Sequence, residues 1–273
     1  MFIVYHRRAF VRSAARELGV PVILPNEWSD LCRVRSRHHR FVDSDGQQVA
    51  INWGLTNLAT LPPRFAQQLA NMRVLNRQIT CTSKYHTFEV LSAANIPVPP
   101  FARTLETLPG SGRFLGRRDG LAHGDGITIY AENDTPTTQH DFFTRVVPKA
   151  HELRIHVWRG EVIYAQRKIF PNMAGQELPL IRNYGNGARF SSNVSSIPAD
   201  LYARGCEIAV NSVTAMGMDF AAVDMALSRR GHWVVFELNS APHLRRFEDD
   251  EIPGDAVSSL DRYMSVWRTM IRS

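Results

Sequence analysis

One hairpin limits what this chain can become. Between Met218 and Leu244, two apolar runs, Phe220 to Leu227 and Trp233 to Leu238, flank a polar break at Ser228, Arg229, Arg230, Gly231 and His232, the pattern of an antiparallel hairpin. Three oxygen-bearing side chains interrupt it: Asp224, Glu237 and Asn239. Side chains alternate along a strand, so Glu237 and Asn239 point to one face. A loop of Arg230-Gly231 sets Asp224 directly opposite Glu237; a four-residue loop makes them diagonal neighbours on the same face. Two carboxylates converging in an apolar setting repel and are costly to desolvate, so they call for a cation or a shifted titration. All-oxygen ligands favour Mg²⁺ over zinc, and Mg²⁺ held by few carboxylates shares its shell with nucleotide phosphates. On a solvent-facing edge the same acids are hydrated charges.

With 273 residues, 44% of them hydrophobic, the chain can bury a substantial core in one large domain or two smaller ones. No apolar run spans a bilayer, and MFIVYHRRAF is not a signal peptide, so the expected compartment is the cytoplasm and no membrane partner is expected. Cys32, Cys81 and Cys206 are scattered, as reduced thiols are. The net charge of +6 and pI near 9.5 raise the question of a polyanionic partner. Much of the excess sits at Arg33, Arg35, Arg37 and Arg40, a run that reads as a solvated face. No stacking aromatics, helix-turn-helix or RNP pattern accompany it, so nucleic acid is not the expected partner. His123, His140, His151 and His156 lack zinc-ligand spacing. There is no Walker A motif, nucleophile elbow or dinucleotide fingerprint.

The periodicities predict strands at Phe2 to Tyr5, Val20 to Leu24 and Gln48 to Trp53, around a helix from Ala9 to Leu18 closed by Gly19. Helices are expected over Arg64 to Asn76, Ser83 to Ala94, Asp200 to Met216 and Ala256 to Ile271. Strands Arg113 to Arg117 and Gly126 to Tyr130 bracket a glycine-bearing loop, and glycines let backbone amides approach phosphate. Phe142 to Val157 reads as extended, with Glu152 and Arg154 on one strand face, and Glu161 to Ile169 returns beside it.

The tail Glu237-Leu238-Asn239-Ser240-Ala241-Pro242 resembles the closing motif of the ATP-grasp ligases, an Asp strand followed by a Glu-x-Asn strand and a nearby proline. Lys84 and Ile96-Pro97-Val98-Pro99 resemble the Lys-led helix and I-P-x-P turn of the ribosomal-protein glutamate ligase type. The resemblance runs from Lys84 to Leu244, and the layout is similar to the short ATP-grasp proteins of bacteriophages. It implies an α+β fold, two α+β lobes clasping a nucleotide (81–140 and 141–273) after a small Rossmann-like α/β domain (1–80).

The resemblance also implies roles. Asp224, Glu237 and Asn239 would hold Mg²⁺, with Mn²⁺ as substitute; Lys84, Arg117, Gly124, Gly126, Val146, Val147 and Glu152 would bind ATP; Arg154, Arg182 and Asn183 would serve the transferred phosphate. Asn186 or Arg189 is an alternative to the Arg182-Asn183 pair, and Arg117 stands where the family carries lysine. The implied activity is ATP- and Mg²⁺-dependent coupling of a small-molecule or peptide carboxylate to an amine through an acyl phosphate. Asp224→Ala or Glu237→Ala is then expected to abolish turnover and leave the fold largely intact. The alternatives are nucleotide binding without ligation and a basic nucleic-acid-binding protein.

Overall fold

The computed structural model describes residues 2–4, 9–23, 39–61, 63–121, 125–171, 173, 178–183, 185–244 and 258–272. Gly124, His123, Cys32 and the arginine run up to residue 38 lie outside them.

The chain begins with β1 (Phe2–Val4), α1 (Ala9–Leu18), β2 (Val22–Ile23), β3 (Arg40–Val42), β4 (Gln48–Trp53), α2 (Pro63–Ala70) and β5 (Arg73–Leu75). β1 runs parallel to β2 and β4, β5 runs parallel to β4, and β3 is antiparallel to β4. Val11, Ala14, Ala15 and Leu18 recur at helical spacing and are buried, so α1 packs by one stripe. The helix expected to reach Asn76 ends at Ala70. Val74 and Leu75 instead pair with Ala50 and Ile51 and are buried there, so sheet pairing overrides the helical spacing.

The second sheet follows α3 (Lys84–Ala93), whose N-cap is Ser83, its hydroxyl accepting from the His86 amide. It contains β6 (Phe101–Ala102), β7 (Phe114–Arg117), β8 (Ile127–Tyr130) and β9 (Phe142–Arg145), all antiparallel, in the order β6-β9-β7-β8. Phe88 of α3 packs on Phe101 and Phe142.

The stretch from Phe142 to Val157 is two strands in two sheets, parted at Val146-Val147-Pro148, with Glu152 and Arg154 on the second. Proline cannot donate to a ladder, which suits the break. The third sheet contains β10 (Lys149–Trp158), β11 (Glu161–Ile169), β12 (Arg189–Ser191), β13 (Phe220–Ser228) and β14 (Trp233–Asn239), with α4 (Ala199–Ala215) between β12 and β13. Its order is β12-β11-β10-β13-β14, antiparallel throughout. One face carries Leu153, Ile155, Val223, Met225, Val235 and Leu238 into a core with Ala209 and Val213 of α4. A Cβ at Gly205 of α4 would come within 2.8 Å of the Trp233 ring, so the helix needs glycine to lie this close. The opposite face carries Glu152, Arg154, Lys168 and Asp224, and at its far end the buried rings of Trp158 and Phe220.

The chain then returns to its first sheet. In α5 (Ser259–Thr269), Tyr263 and Trp267 pack with Trp53, Trp158 and Phe220, and β15 (Ile271–Arg272) pairs antiparallel with β3. Among the described residues, no helix is long and apolar enough to cross a membrane.

Candidate active site

The hairpin β13–β14 is closed by three residues, Arg229, Arg230 and Gly231, between Ser228 and His232, whose carbonyl accepts from the Ser228 amide at 2.8 Å. Gly231 supplies the positive φ of +79° that such a loop requires. Neither expected loop length is the one found. An odd loop would set Asp224 opposite Phe236 and turn Glu237 toward the α4 core. A β-bulge prevents this: Met225 pairs with Val235 but Asp224 with Glu237, leaving Phe236 as the extra residue. Asp224 and Glu237 therefore face each other on the polar side, with Asn239 beyond them opposite Ala222.

The three oxygens have different surroundings. Both Asp224 oxygens accept from Arg154, Nε and NH2 at 2.7 Å each, and Lys168 Nζ lies 3.8 Å away. Burial would raise this carboxyl, but Arg154 and Lys168 outweigh it and hold it well below the usual range. The Glu237 side chain is 41% exposed, its oxygen 3.7 Å from Lys84 Nζ. Asn239 Oδ1 accepts from the Ala241 amide at 3.0 Å.

Glu152 and Arg154 share the polar face of β10, as their alternation predicts. Glu152 is buried between Lys149 Nζ at 2.7 Å and Lys168 Nζ at 2.5 Å, and Lys149 also donates to the Leu180 carbonyl at 2.8 Å. Burial would raise the Glu152 carboxyl, yet Lys168 and Lys149 pull it below its ordinary value. Deeper on this face, buried His156 is pushed down to about 3 by desolvation and by Arg154, so it is neutral, between Tyr263 and Gln166. Three cations thus face two carboxylates.

Across the cleft, Arg117 on β7 is 9% exposed, and its Nε and Nη1 have no hydrogen-bond partner among the described residues. Desolvation lowers it to about 10, with Glu237 and Asp119 the acids that offset this. Lys84 opens α3, its Nζ donating to the Leu121 carbonyl at 2.5 Å. Asp119 clamps that helix start: it accepts from Ser83 Oγ and from the Lys84 amide at 2.7 Å. Burial would raise Asp119, but bonds from Ser83 and the Lys84 and Gly120 amides hold it low. Lys84, Thr87, Gly120, Leu121, Phe236 and Glu237 line a cavity of about 160 Å³. That is below the roughly 300 Å³ of small-ligand pockets and suits a phosphate-sized group.

The remaining expected residues are spread around this core. Gly126, with φ +69°, lies where a Cβ would meet Leu121 at 2.6 Å and Arg118 at 2.9 Å, so it lets the loop fold tightly. The Val146 amide donates to the Arg113 carbonyl at 3.0 Å, and Val147 follows at the junction of two sheets. Arg182 stands near Glu152 and Arg229 with its Nε buried and without a partner among the described residues, and desolvation lowers it. Asn183 Oδ1 accepts from the Asn186 amide at 2.8 Å in a turn. Sequence reasoning passed over Lys149, Lys168 and Asp119 as site residues. Lys149-x-x-Glu152 was the legible signal for the first; the others depend on pairing between distant segments.

No protein-family model matches the chain, and no curated protein matches its sequence. Solved structures do. The ATP-grasp ligase PsnB complexed with a minimal precursor is similar over 98% of this chain and 98% of that chain, with TM-score 0.63 and 14% identity. PsnB has also been solved with the minimal precursor, Mg and ADP. N5-carboxyaminoimidazole ribonucleotide synthetase from Thermotoga maritima is similar over 89% of this chain and 68% of its own, with TM-score 0.55 and 18% identity. D-alanine–D-alanine ligase from Bacillus anthracis is similar over 89% and 86%, with TM-score 0.54 and 13% identity. The chain has the ATP-grasp fold, α+β.

Proposed function

We propose that this chain is an ATP- and Mg²⁺-dependent ligase that joins a carboxylate to an amine through an acyl phosphate. The observation that carries the reading is Arg117, a buried cation with two donors unpartnered among the described residues, across the cleft from three further cations and, among those residues, two buried carboxylates. Buried donors of this kind are satisfied by an anion, and the guanidinium fork fits phosphate as well as carboxylate.

Glu237 and Asn239 offer oxygens suited to Mg²⁺, while Asp224, both of whose oxygens accept from Arg154, would have to turn a remaining lone pair to the ion. Glu237 is half-exposed beside the phosphate-sized cavity, Asn239 shares its face, and Asp224 stands directly opposite. Bound there, the ion would neutralise phosphate charge. Arg117 and Lys84 would hold the phosphates from the second sheet, while Arg154 and Lys168 meet them from the third. A substrate carboxylate oxygen forms a bond to the γ-phosphorus as the bond to the β-bridging oxygen breaks and ADP leaves. The amine nitrogen then bonds to the acyl carbon, phosphate departs, and the amine proton is released. Positioning and fixed charge supply the catalysis, so no side-chain nucleophile is needed. PsnB's precursor substrate supports a peptide among the candidate substrates. The parallel run β2-β1-β4-β5 supports a Rossmann-like reading of the first unit.

The test is mass spectrometry of carboxylate and amine mixtures incubated with the protein, ATP and Mg²⁺, together with ADP release. Amine-dependent ADP release with a product lighter by one water than its parts is expected. ADP binding with no such product would instead support nucleotide binding without ligation, the alternative raised by Arg117 in place of lysine.

A further inference from the structure

Two aromatic rings lie against the cations of the third sheet. Phe236, the bulged residue, lies 5.5 Å from Lys149 Nζ. Phe190 is placed differently. It pairs directly opposite Lys168 in the β11–β12 register, so it rises from the same face. Its ring centroid is 4.8 Å from the Arg154 guanidinium carbon and 5.9 Å from Lys168 Nζ. Charge balance does not require the ring, because Arg154 is paired with Asp224 and Lys168 with Glu152. What the ring adds is cover. The Arg154 and Lys168 side chains are only 16% and 9% exposed, although β12 is a three-residue edge strand. That strand is delivered by a turn in which the Asn183 carbonyl accepts from the Asn186 and Ala188 amides, at 3.2 and 3.1 Å.

We propose that Phe190 is a positioning residue that shields Arg154 and Lys168 from water, so that a carboxylate and not water receives the phosphoryl group. This rests on the ATP-dependent reading above. The face of an aromatic ring attracts both cations while its hydrocarbon edge excludes solvent. Without the ring, water reaches the γ-phosphorus: its oxygen bonds to phosphorus, the β-bridging bond breaks, ADP leaves and a proton goes to solvent. ATP is then consumed with nothing joined.

The experiment measures ADP release from Mg·ATP alone, with no acid or amine, and the affinity for AMPPNP with Mg²⁺, in the wild type, Phe190→Ala and Phe190→Trp. Phe190→Ala should release ADP about fivefold faster, keep AMPPNP affinity within about twofold, and be reversed by Phe190→Trp. An unchanged or slower rate with AMPPNP binding intact overturns the proposal. Melting curves check folding, and if the alanine variant unfolds, Phe190→Val takes its place with the same two outcomes. Failure of the wild type itself to bind AMPPNP sinks the ATP reading and is distinguishable from either result.

Discussion

Two buried polar clusters in this molecule obey opposite rules. Around Asn76, 1% exposed with φ +53°, every group is closed. Its amide donates to Asp219 Oδ2 at 2.6 Å, its Nδ2 to the Phe220 carbonyl at 2.8 Å, and its Oδ1 accepts from the Asp219 and Phe220 amides at 2.8 and 3.2 Å. Asn52 donates to its carbonyl at 2.9 Å. Around Glu152 and Asp224, by contrast, cations outnumber acids among the described residues, and Arg117 and Arg182 hold donors that none of those residues meets. A cluster that closes on itself is scaffold. One that gathers buried cations together with open donors is shaped for an anion, unlike the lone open indoles of Trp53 and Trp267 in the core, since an unmet buried donor costs about 1–3 kcal/mol.

Alanine at Asp224 or Glu237 should show the largest effect, a loss of about a thousandfold or more in amine-dependent ADP release. The two variants part in stability, so the expectation that both leave the fold largely intact is revised for Asp224, whose buried carboxylate is paired with Arg154. Glu237→Ala should stay within about 0.5 kcal/mol of the wild type in a denaturant titration, whereas Asp224→Ala, which strands Arg154 and Lys168, should lose about 3–5 kcal/mol. An intact fold in the Asp224 variant would show that its pairing with Arg154 counts for little. In the closed cluster the pattern should invert: Asn76→Ala costs on the order of 4 kcal/mol from lost hydrogen bonds and left-handed strain, with the folded fraction keeping its activity. Arg117→Met should weaken nucleotide binding at least tenfold, yet raise stability by about 1 kcal/mol, because it removes a desolvated charge. Calorimetry and melting on one preparation read both, and a destabilised methionine variant would make Arg117 part of the scaffold. The smallest effect is in acid. Glu152 and Asp224 have carboxyls held below their unfolded values, so their contribution is complete above about pH 4 and is lost as pH falls toward the folded values. Wild-type stability should therefore fall below about pH 4 more steeply than that of Glu152→Gln or Asp224→Asn.

The sequence read well where one segment decides its own structure. Helix α1, strands β4 and β11 and the hairpin strands follow local spacing, and the facing of Asp224 with Glu237 was among the arrangements foreseen. The means was not foreseen, because a bulge at Phe236 is chosen by which neighbours Trp233, Val235 and Leu238 bury against α4. Strand β5 was hidden for a similar reason: Arg73 to Leu75 continues a helical spacing and only the waiting edge of β4 makes it a strand. Lys168 is legible as a charge at a strand end, but its place between Glu152 and Asp224 depends on pairing across distant segments. Asp119 likewise acts on a helix start 35 residues earlier, through a contact that no spacing rule encodes.

The last strand, β15, lies against β3, and α5 packs in the same core as Phe2 and Trp53. During synthesis the segment around Phe2, Phe41 and Trp53 must wait for residues near 270 before its sheet is complete. Removing α5 and β15 should therefore damage the opposite end of the polypeptide first, and a nascent chain halted before them should leave Phe2, Phe41 and Trp53 uncovered for a chaperone to hold.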